Sequence, residues 1–336
     1  MSWFESMGEK KFRARQVWEW IWIKSATSFD EMSNLSKSLR EKLKASFTIQ
    51  AIGLDNYQVS NDGTIKSAFR LHDKHLIEGV LIPTENRMTA CVSSQVGCSL
   101  SCKFCATGYM KRERNLEPGE IYDQVVALRR QANENYDQPL SNIVFMGMGE
   151  PLLNYKNVLE GIERITSENG LHISPKRITV STAGIAKMIR KLGDDEVKFN
   201  LALSLHAADD EKRDSIMPIN ESNKLEELMQ ALQYFYEKTG NKITFEYILF
   251  YDFNDDLKDA EKLLKYVRRV PSKVNIIEYN PVAEASFSKA DAQTIDRFAH
   301  HLIKGGVATS VRRSRGKDID AACGQLANKS KVEKVK

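Results

Sequence analysis

The residues best suited to chemistry are three cysteines in the run Gly97-Cys98-Ser99-Leu100-Ser101-Cys102-Lys103-Phe104-Cys105-Ala106-Thr107-Gly108. Their spacing, Cys98-x-x-x-Cys102-x-x-Cys105, puts three thiolates on one short loop. A structural zinc site closes four ligands around the ion, and a four-iron cluster ordinarily takes four thiolates. Three thiolates can hold a cubane and leave one iron open to a small molecule. The spacing therefore points to a reactive cofactor and not to a staple. The alternative is a zinc knuckle that recruits Cys91 as its fourth ligand. Against it, Cys91 lies seven residues before Cys98 and inside a strand-like stretch. The fifth cysteine is Cys323, in Asp318-Ile319-Asp320-Ala321-Ala322-Cys323-Gly324-Gln325-Leu326. Phe104 is placed to shield a cluster, or simply to pack.

Other polar residues gain weight from their positions. Gly147-Met148-Gly149-Glu150-Pro151 is a glycine-rich turn that lets a ligand approach backbone closely, and Glu150 is able to pair with a cationic amino group. By itself such a turn is weak evidence, as is the lone His206 in Ser204-Leu205-His206. Ser181, Ser204 and Asn280 have ordinary turn or cap readings. His72 and His75 flank a turn; without cysteine neighbours they read as exposed side chains rather than zinc ligands.

These residues share a place in a repeating pattern. Strand-like runs occur at Thr89–Ser93, Ser141–Met146, Arg177–Ser181, Lys198–Ser204, Lys242–Leu249 and Lys273–Tyr279. Helical stretches alternate with them at Pro118–Asn133, Tyr155–Glu168, Ile185–Leu192, Leu225–Thr239, Leu257–Val270 and Ala290–Lys304. Six βα units imply an α/β fold with a parallel sheet, helices outside, curling into a partial (βα)6 barrel. Chemistry in such folds collects at the C-terminal ends of the strands. The cysteine loop, the glycine turn, Ser181, Ser204 to His206 and Asn280 all fall there.

Before the barrel, residues 1–48 read as a small helical domain in which Lys and Arg alternate with Trp and Phe. An RNA-binding bundle and a charged helical pack fit equally well. Residues 49–83 read as a β-hairpin extension, with strands at Ile49–Ile52, Tyr57–Ser60, Ile65–Leu71 and Leu76–Ile82. Asn61-Asp62-Gly63 is a hairpin turn signal within it. Residues 84–326 form the core barrel with a C-terminal catalytic loop, and 327–336 a basic tail.

The chain has 336 residues, is 42% hydrophobic and 28% charged, and carries a net charge of +4. That describes an ordinary globular protein. No apolar run is long enough to span a membrane, and the N-terminus lacks the pattern of a secretory signal. An odd number of cysteines, three of them clustered, argues for the reducing cytoplasm. The charge is uneven: residues 304–336 hold nine Lys and Arg against three Asp and Glu, a footprint suited to phosphate.

The cysteine motif with its aromatic resembles the radical S-adenosylmethionine (SAM) superfamily. Cys91-Val-Ser-Ser-Gln-Val-Gly-Cys98, Phe145-Met-Gly-Met-Gly-Glu-Pro-Leu-Leu-Asn154, Ser204-Leu-His-Ala207 and Asp318 to Leu326 are more specific. They resemble the RlmN-type adenine-C2 RNA methyltransferases, and Phe12-Arg13-Ala14-Arg15-Gln16 extends the likeness almost to the start. The resemblance implies a radical SAM barrel in which Cys98, Cys102 and Cys105 hold a [4Fe–4S] cluster. It implies that Gly149, Glu150, Ser181, Ser204, Leu205, His206 and Asn280 line the SAM site. It makes Cys323 a methyl carrier, Cys91 the thiol that releases product through a transient disulfide with Cys323, and Glu78 a proton-handling group. It further implies 23S ribosomal RNA and tRNA as substrates, the latter beside the anticodon, and an electron donor such as flavodoxin. A monomer is the default expectation. The segment Tyr109 to Leu116 is more charged than the family pattern. Two alternatives stay open: the related Cfr-type adenine-C8 methyltransferases, and a non-enzymatic iron–sulfur or zinc RNA-binding module.

Overall fold

The computed structural model describes residues 2–328; most of the expected basic tail, residues 329–336, lies outside them. Three helices open the chain: α1 (Ser2–Ser6), α2 (Phe12–Trp22) and α3 (Lys37–Ser46). They enclose a small apolar core of Phe4, Phe29, Met32, Leu35, Leu39 and Leu43. Ser28 and Glu31 form a capping box on a short 3₁₀ turn, and the Ser36 hydroxyl caps α3 by accepting from Leu39 N–H, satisfying donors that helix starts leave free. This unit docks on α4 (Pro118–Tyr136), where the Tyr122 hydroxyl donates to the Trp22 carbonyl at 2.8 Å and Arg130 to the Ser25 carbonyl at 3.0 Å.

Next come β1 (Gly53–Val59), β2 (Ile65–Arg70) and β3 (Leu76–Thr84), an antiparallel meander whose last strand pairs with β4 (Arg87–Cys91). The extension is thus part of the main sheet and not a free hairpin. Ile49–Ile52 is not a strand. Its apolar residues dock instead: Ile49 packs on the helical core and Ile52 on the main core, and the Ile52 N–H is taken by Asp123. After β4, β5 (Gln95–Val96) pairs antiparallel with β6 (Arg114–Asn115), closing the cysteine loop at its base.

From β4 onward the sheet is parallel, through β7 (Asn142–Phe145), β8 (Ile178–Thr182), β9 (Asn200–Ser204), β10 (Ile243–Leu249), β11 (Ser272–Glu278) and β12 (Ala308–Arg312). Helices α4, α5 (Tyr155–Thr166), α6 (Ala186–Asp194), α7 (Asp210–Ile216), α8 (Leu225–Thr239), α9 (Leu257–Val267) and α10 (Ala292–Lys304) fill the crossovers. The full order is β1-β2-β3-β4-β7-β8-β9-β10-β11-β12. The sheet does not close, so β1 and β12 are edges of a partial barrel. Every residue of β10 is buried, as expected of a parallel strand covered on both faces. β12 and α7 had no sequence signal. β12 alternates exposed and half-buried residues and ends in Arg312, which reads as a basic loop; α7 is short and highly charged.

Candidate active site

The cysteine loop leaves β4 at Cys91 and returns through β6. Within it, Cys105 N–H donates to the Cys102 carbonyl at 3.2 Å, Gly108 N–H to the Cys105 carbonyl at 2.8 Å, and Lys103 N–H to Ile216 at 3.0 Å. Phe104 packs edge-on against the His206 ring at 4.7 Å and tilts against Phe250 at 5.6 Å. Burial pushes the Cys98 thiol up to about 11, with Cys105 and Glu150 adding to it. Burial first, then Cys105 and Cys98, pushes Cys102 up. The three sulfurs therefore sense one another across a shielded pocket, where a cation is what makes three thiolates stable together. Among the described residues no three His, Cys, Asp or Glu side chains gather tightly enough to bind one ion. A cubane asks instead for one thiolate per iron. Three sulfurs on one loop, walled by Phe104, fit that demand. His72 and His75 share no site; they pair separately with Glu120 at 3.4 Å and Asp73 at 3.0 Å.

The glycine turn after β7 lies against β5. Gly149 has φ +92°, and a β-carbon there would fall 2.4 Å from Gln95 Cβ, so only glycine fits. Gln95 Oε1 accepts from the Glu150 N–H at 2.8 Å. The Glu150 carboxylate accepts from Leu152 N–H at 3.0 Å and Ala183 N–H at 2.8 Å, joining the ends of β7 and β8. Burial raises its pKa although these bonds oppose the rise. The result is a fixed, desolvated carboxylate suited to an ammonium group.

On the next strands, Ser181 and Ser204 hydroxyls lie 3.3 Å apart. His206 is fully enclosed, with φ +57° and its Nδ1 accepting from Ile248 N–H at 3.1 Å. Burial, then Arg213, lowers its pKa to about 3, so the ring is neutral and carries its proton on Nε2. Leu205 faces the core, and its N–H and carbonyl are engaged by Glu246 and Arg213; any ligand contact there is through its surroundings. Arg213 is a site residue that the sequence did not mark. Fully buried, it donates to the carbonyls of Ala183, Ser204 and Leu205 and to Asn220. It ties together the rim ends of β8 and β9, and its charge reaches Cys102. Its setting in Glu211-Lys212-Arg213-Asp214 looks like a solvated helix face.

Cys323 arrives from the far end of the chain. The Gly324 carbonyl accepts from Ala106 N–H at 2.7 Å, one residue past Cys105. The Thr107 hydroxyl donates to the Leu326 carbonyl at 2.6 Å, and Asn280 donates to the Cys323 carbonyl at 3.3 Å. Cys323 is solvent-exposed, yet burial is the first cause raising its thiol pKa, with Glu246 and Cys105 adding and Arg312 opposing. Both hold if it lines an open cleft surrounded by protein. Burial and then Cys323 raise the pKa of Cys91. Cys91 and Cys323 are free thiols, and the Ala106–Gly324 hydrogen bond sets the Cys323 loop against the cysteine loop. Glu78, in β3, is buried. Its Oε2 accepts from Ala327 N–H at 2.9 Å and Asn328 N–H at 3.1 Å, and Lys66 lies 3.8 Å from Oε1. Here Glu78 holds the segment that follows Cys323. A surface hollow of about 450 Å³ between α6 and α8, lined by Lys187, Arg190 and Lys191, contains none of these residues.

A barrel with a three-cysteine loop after its first parallel strand, and a glycine turn after its second, defines a class. The Radical SAM superfamily model matches residues 92–266, and the model of the ribosomal RNA large subunit methyltransferase N-terminal domain matches residues 1–49. The chain is a radical SAM enzyme, with a [4Fe–4S] cluster and SAM as its cofactors. It is 60% identical to the probable dual-specificity RNA methyltransferase RlmN of Cytophaga hutchinsonii, over 97% of this chain and 89% of that protein. To the protein of the same description from Christiangramia forsetii it is 57% identical, over 97% of this chain and 93% of that one. The crystal structure of a radical SAM methyltransferase from Sphaerobacter thermophilus matches with a TM-score of 0.92 at 40% identity, covering 97% of this chain and 95% of that one. The chain belongs to the RlmN family of dual-specificity RNA methyltransferases. Among the described residues, no helix is long and apolar enough to cross a membrane.

Proposed function

We propose that this RNA methyltransferase acts on carbon 2 of an adenosine in 23S ribosomal RNA and of the adenosine beside the tRNA anticodon, carrying the methyl on Cys323. Cys98, Cys102 and Cys105 hold the cluster. Gly149, Glu150, Ser181, Ser204, His206 and Asn280 line the SAM site, with Leu205 in their midst. When bound, the cluster and SAM supply the methyl group and the radical that activates it.

The protein's part follows from adenine chemistry. Carbon 2 is electron-poor and does not readily displace a methyl from a sulfonium, whereas a thiolate does. Cys323 therefore takes the methyl, losing its proton, and becomes a thioether. Loss of one methyl hydrogen leaves a carbon radical on that sulfur, which adds to carbon 2 and links RNA to protein. Glu78 takes the carbon-2 proton once the 327–328 segment lifts from its carboxylate, and the adduct's unpaired electron leaves to a one-electron acceptor, a role the oxidised cluster would fill. Cys91, as thiolate, then attacks the Cys323 sulfur; the carbon–sulfur electron pair stays with the base, whose methylene takes a proton to become the methyl group, and a Cys91–Cys323 disulfide forms. External thiols reduce it for another turnover. The reaction suits the cytoplasm, where such thiols abound. A monomer reduced by a flavodoxin-type donor completes the reading.

The docking of the Cys323 loop on the cysteine loop, with Ala106 N–H donating to the Gly324 carbonyl at 2.7 Å and the Thr107 hydroxyl to the Leu326 carbonyl at 2.6 Å, supports this reading. The test is a pair of variants incubated with RNA. Cys91→Ala is expected to accumulate protein cross-linked to RNA, and Cys323→Ala to form neither adduct nor product. Methylation by Cys323→Ala sinks the carrier role. Nucleoside mass spectrometry against 2-methyl- and 8-methyladenosine standards decides the carbon; 8-methyladenosine sinks the C2 assignment.

A further inference from the structure

The β1–β2 turn contains no candidate site residue, yet it grips the segment that leads to Cys323. The Ser60 hydroxyl donates to Asp318 Oδ1 at 2.5 Å, across 258 residues of chain, and Asn61 N–H donates to Asp318 Oδ2 at 3.0 Å. In the other direction, Gly316 N–H donates to Asp62 Oδ2 at 3.0 Å, and Thr64 N–H holds Asp62 Oδ1 at 2.9 Å. The surfaces also touch. Gly316 has φ +64°, and a β-carbon there would lie 2.7 Å from Ala321 Cβ and 2.9 Å from Thr64 Cγ2. Ala321 N–H donates to the Gly316 carbonyl at 2.9 Å, so residues 316–321 form one compact turn, and Cys323 follows it directly. On the turn's other side, the Glu278 carboxylate accepts from Arg313 and Lys317, each at 2.7 Å.

These contacts join the turn after β1 to the segment after β12, the two edge strands of the sheet. They also make the extension responsible for both flanks of the Cys323 loop, since Glu78 of β3 grips residues 327 and 328. We infer that Ser60, Asp62 and Asp318 form a strap that positions Cys323 for exchange with Cys91. None of the three touches a reacting atom; they are positioning residues acting through the loop. The strap's worth to catalysis rests on Cys323 being the methyl carrier, but its existence does not.

The test uses thiol–disulfide exchange, which needs neither RNA nor SAM. The cluster-loaded full chain is equilibrated anaerobically in glutathione buffers, and the Cys91–Cys323 disulfide is quantified by peptide mass spectrometry. The equilibrium gives the effective concentration of one thiol at the other. Asp318→Ala is expected to lower it about tenfold or more, Ser60→Ala by less, and Asp318→Asn, which keeps one acceptor oxygen, by an intermediate factor. The Ser60→Ala, Asp318→Ala double variant falls by less than the two single effects combined, because both remove the Ser60–Asp318 bond. Methylation kcat falls in the same order while KM for RNA holds. An unchanged effective concentration in Asp318→Ala, or additive effects in the double variant, overturns the strap. If the effective concentration falls as expected while Cys323→Ala still methylates RNA, the strap stands and the carrier role fails.

Discussion

Two loops bring the thiols together, and they are secured differently. The loop carrying Cys98, Cys102 and Cys105 is closed by its own flanks: β5 pairs with β6, and Gln95 bonds Asn115 only 20 residues away. The loop carrying Cys323 is closed by distant parts of the chain. Its partners are Ser60 at a separation of 258 residues, Thr107 at 219 and Glu78 at 249. A locally closed loop forms with little loop-closure entropy. A loop held by side-chain bonds to separate elements can be released bond by bond. Under the proposed carrier role of Cys323, that difference suits a cluster that must stay put and a sulfur that moves carbon between partners.

The largest expected effect breaks the first loop. Cys102→Ala removes one of the three thiolates proposed to hold the cluster. Iron analysis of anaerobically reconstituted protein is expected to fall from about four irons per chain, with RNA methylation undetectable. Full iron and activity in this variant would place the cluster elsewhere. The corresponding substitution Cys323→Ala leaves iron content intact, so iron content separates the two loops where activity alone does not.

The contrast also governs what could be read in advance. The alternation of strands and helices was legible because period and length suffice for buried parallel strands and amphipathic helices. The cysteine loop was legible because its chemistry is written in adjacent residues. β12 was not, since a half-exposed edge strand ending in Arg312 carries no apolar period. Ile49–Ile52 misled because alternation describes any segment that docks its apolar residues on one side. Arg213 was invisible because its acceptors are backbone carbonyls of other elements, and carbonyls leave no trace in sequence. The strap was invisible too: nothing near Asp318 announces that Ser60 will lie beside it. The pairing of Cys91 with Cys323 is expected only through the family resemblance.

A smaller effect probes the strand ends that form the barrel rim. Arg213→Met takes the guanidinium donors from the buried carbonyls of Ala183 and Ser204, while the Leu205 carbonyl keeps the Ala207 N–H. The expected loss of stability is about 3 kcal/mol or more, since each unsatisfied buried acceptor costs roughly 1–3 kcal/mol. Arg213→Lys is not expected to restore it, because an ammonium cannot span the acceptors that the planar guanidinium fork reaches. Thermal unfolding of both variants checks this, and a wild-type Tm for Arg213→Lys would show that charge alone suffices.

The smallest effect concerns only the Cys323 loop. Burial alone would raise Glu278, but Lys317, Arg313 and Lys289 outweigh it and hold the carboxyl at about 2, against an ordinary 4.5. The folded value lies below the unfolded one, so the stabilisation is complete above about pH 4.5 and is lost as pH falls toward 2. Lys317 and Arg313 are 49% and 51% exposed, so solvent screens both pairs and the gain is modest. Glu278→Gln is therefore expected to lower Tm slightly at neutral pH, with the gap to wild type closing between pH 4.5 and 2. A gap that does not change with pH would mean that Glu278 holds the loop by shape and hydrogen bonding, not by charge.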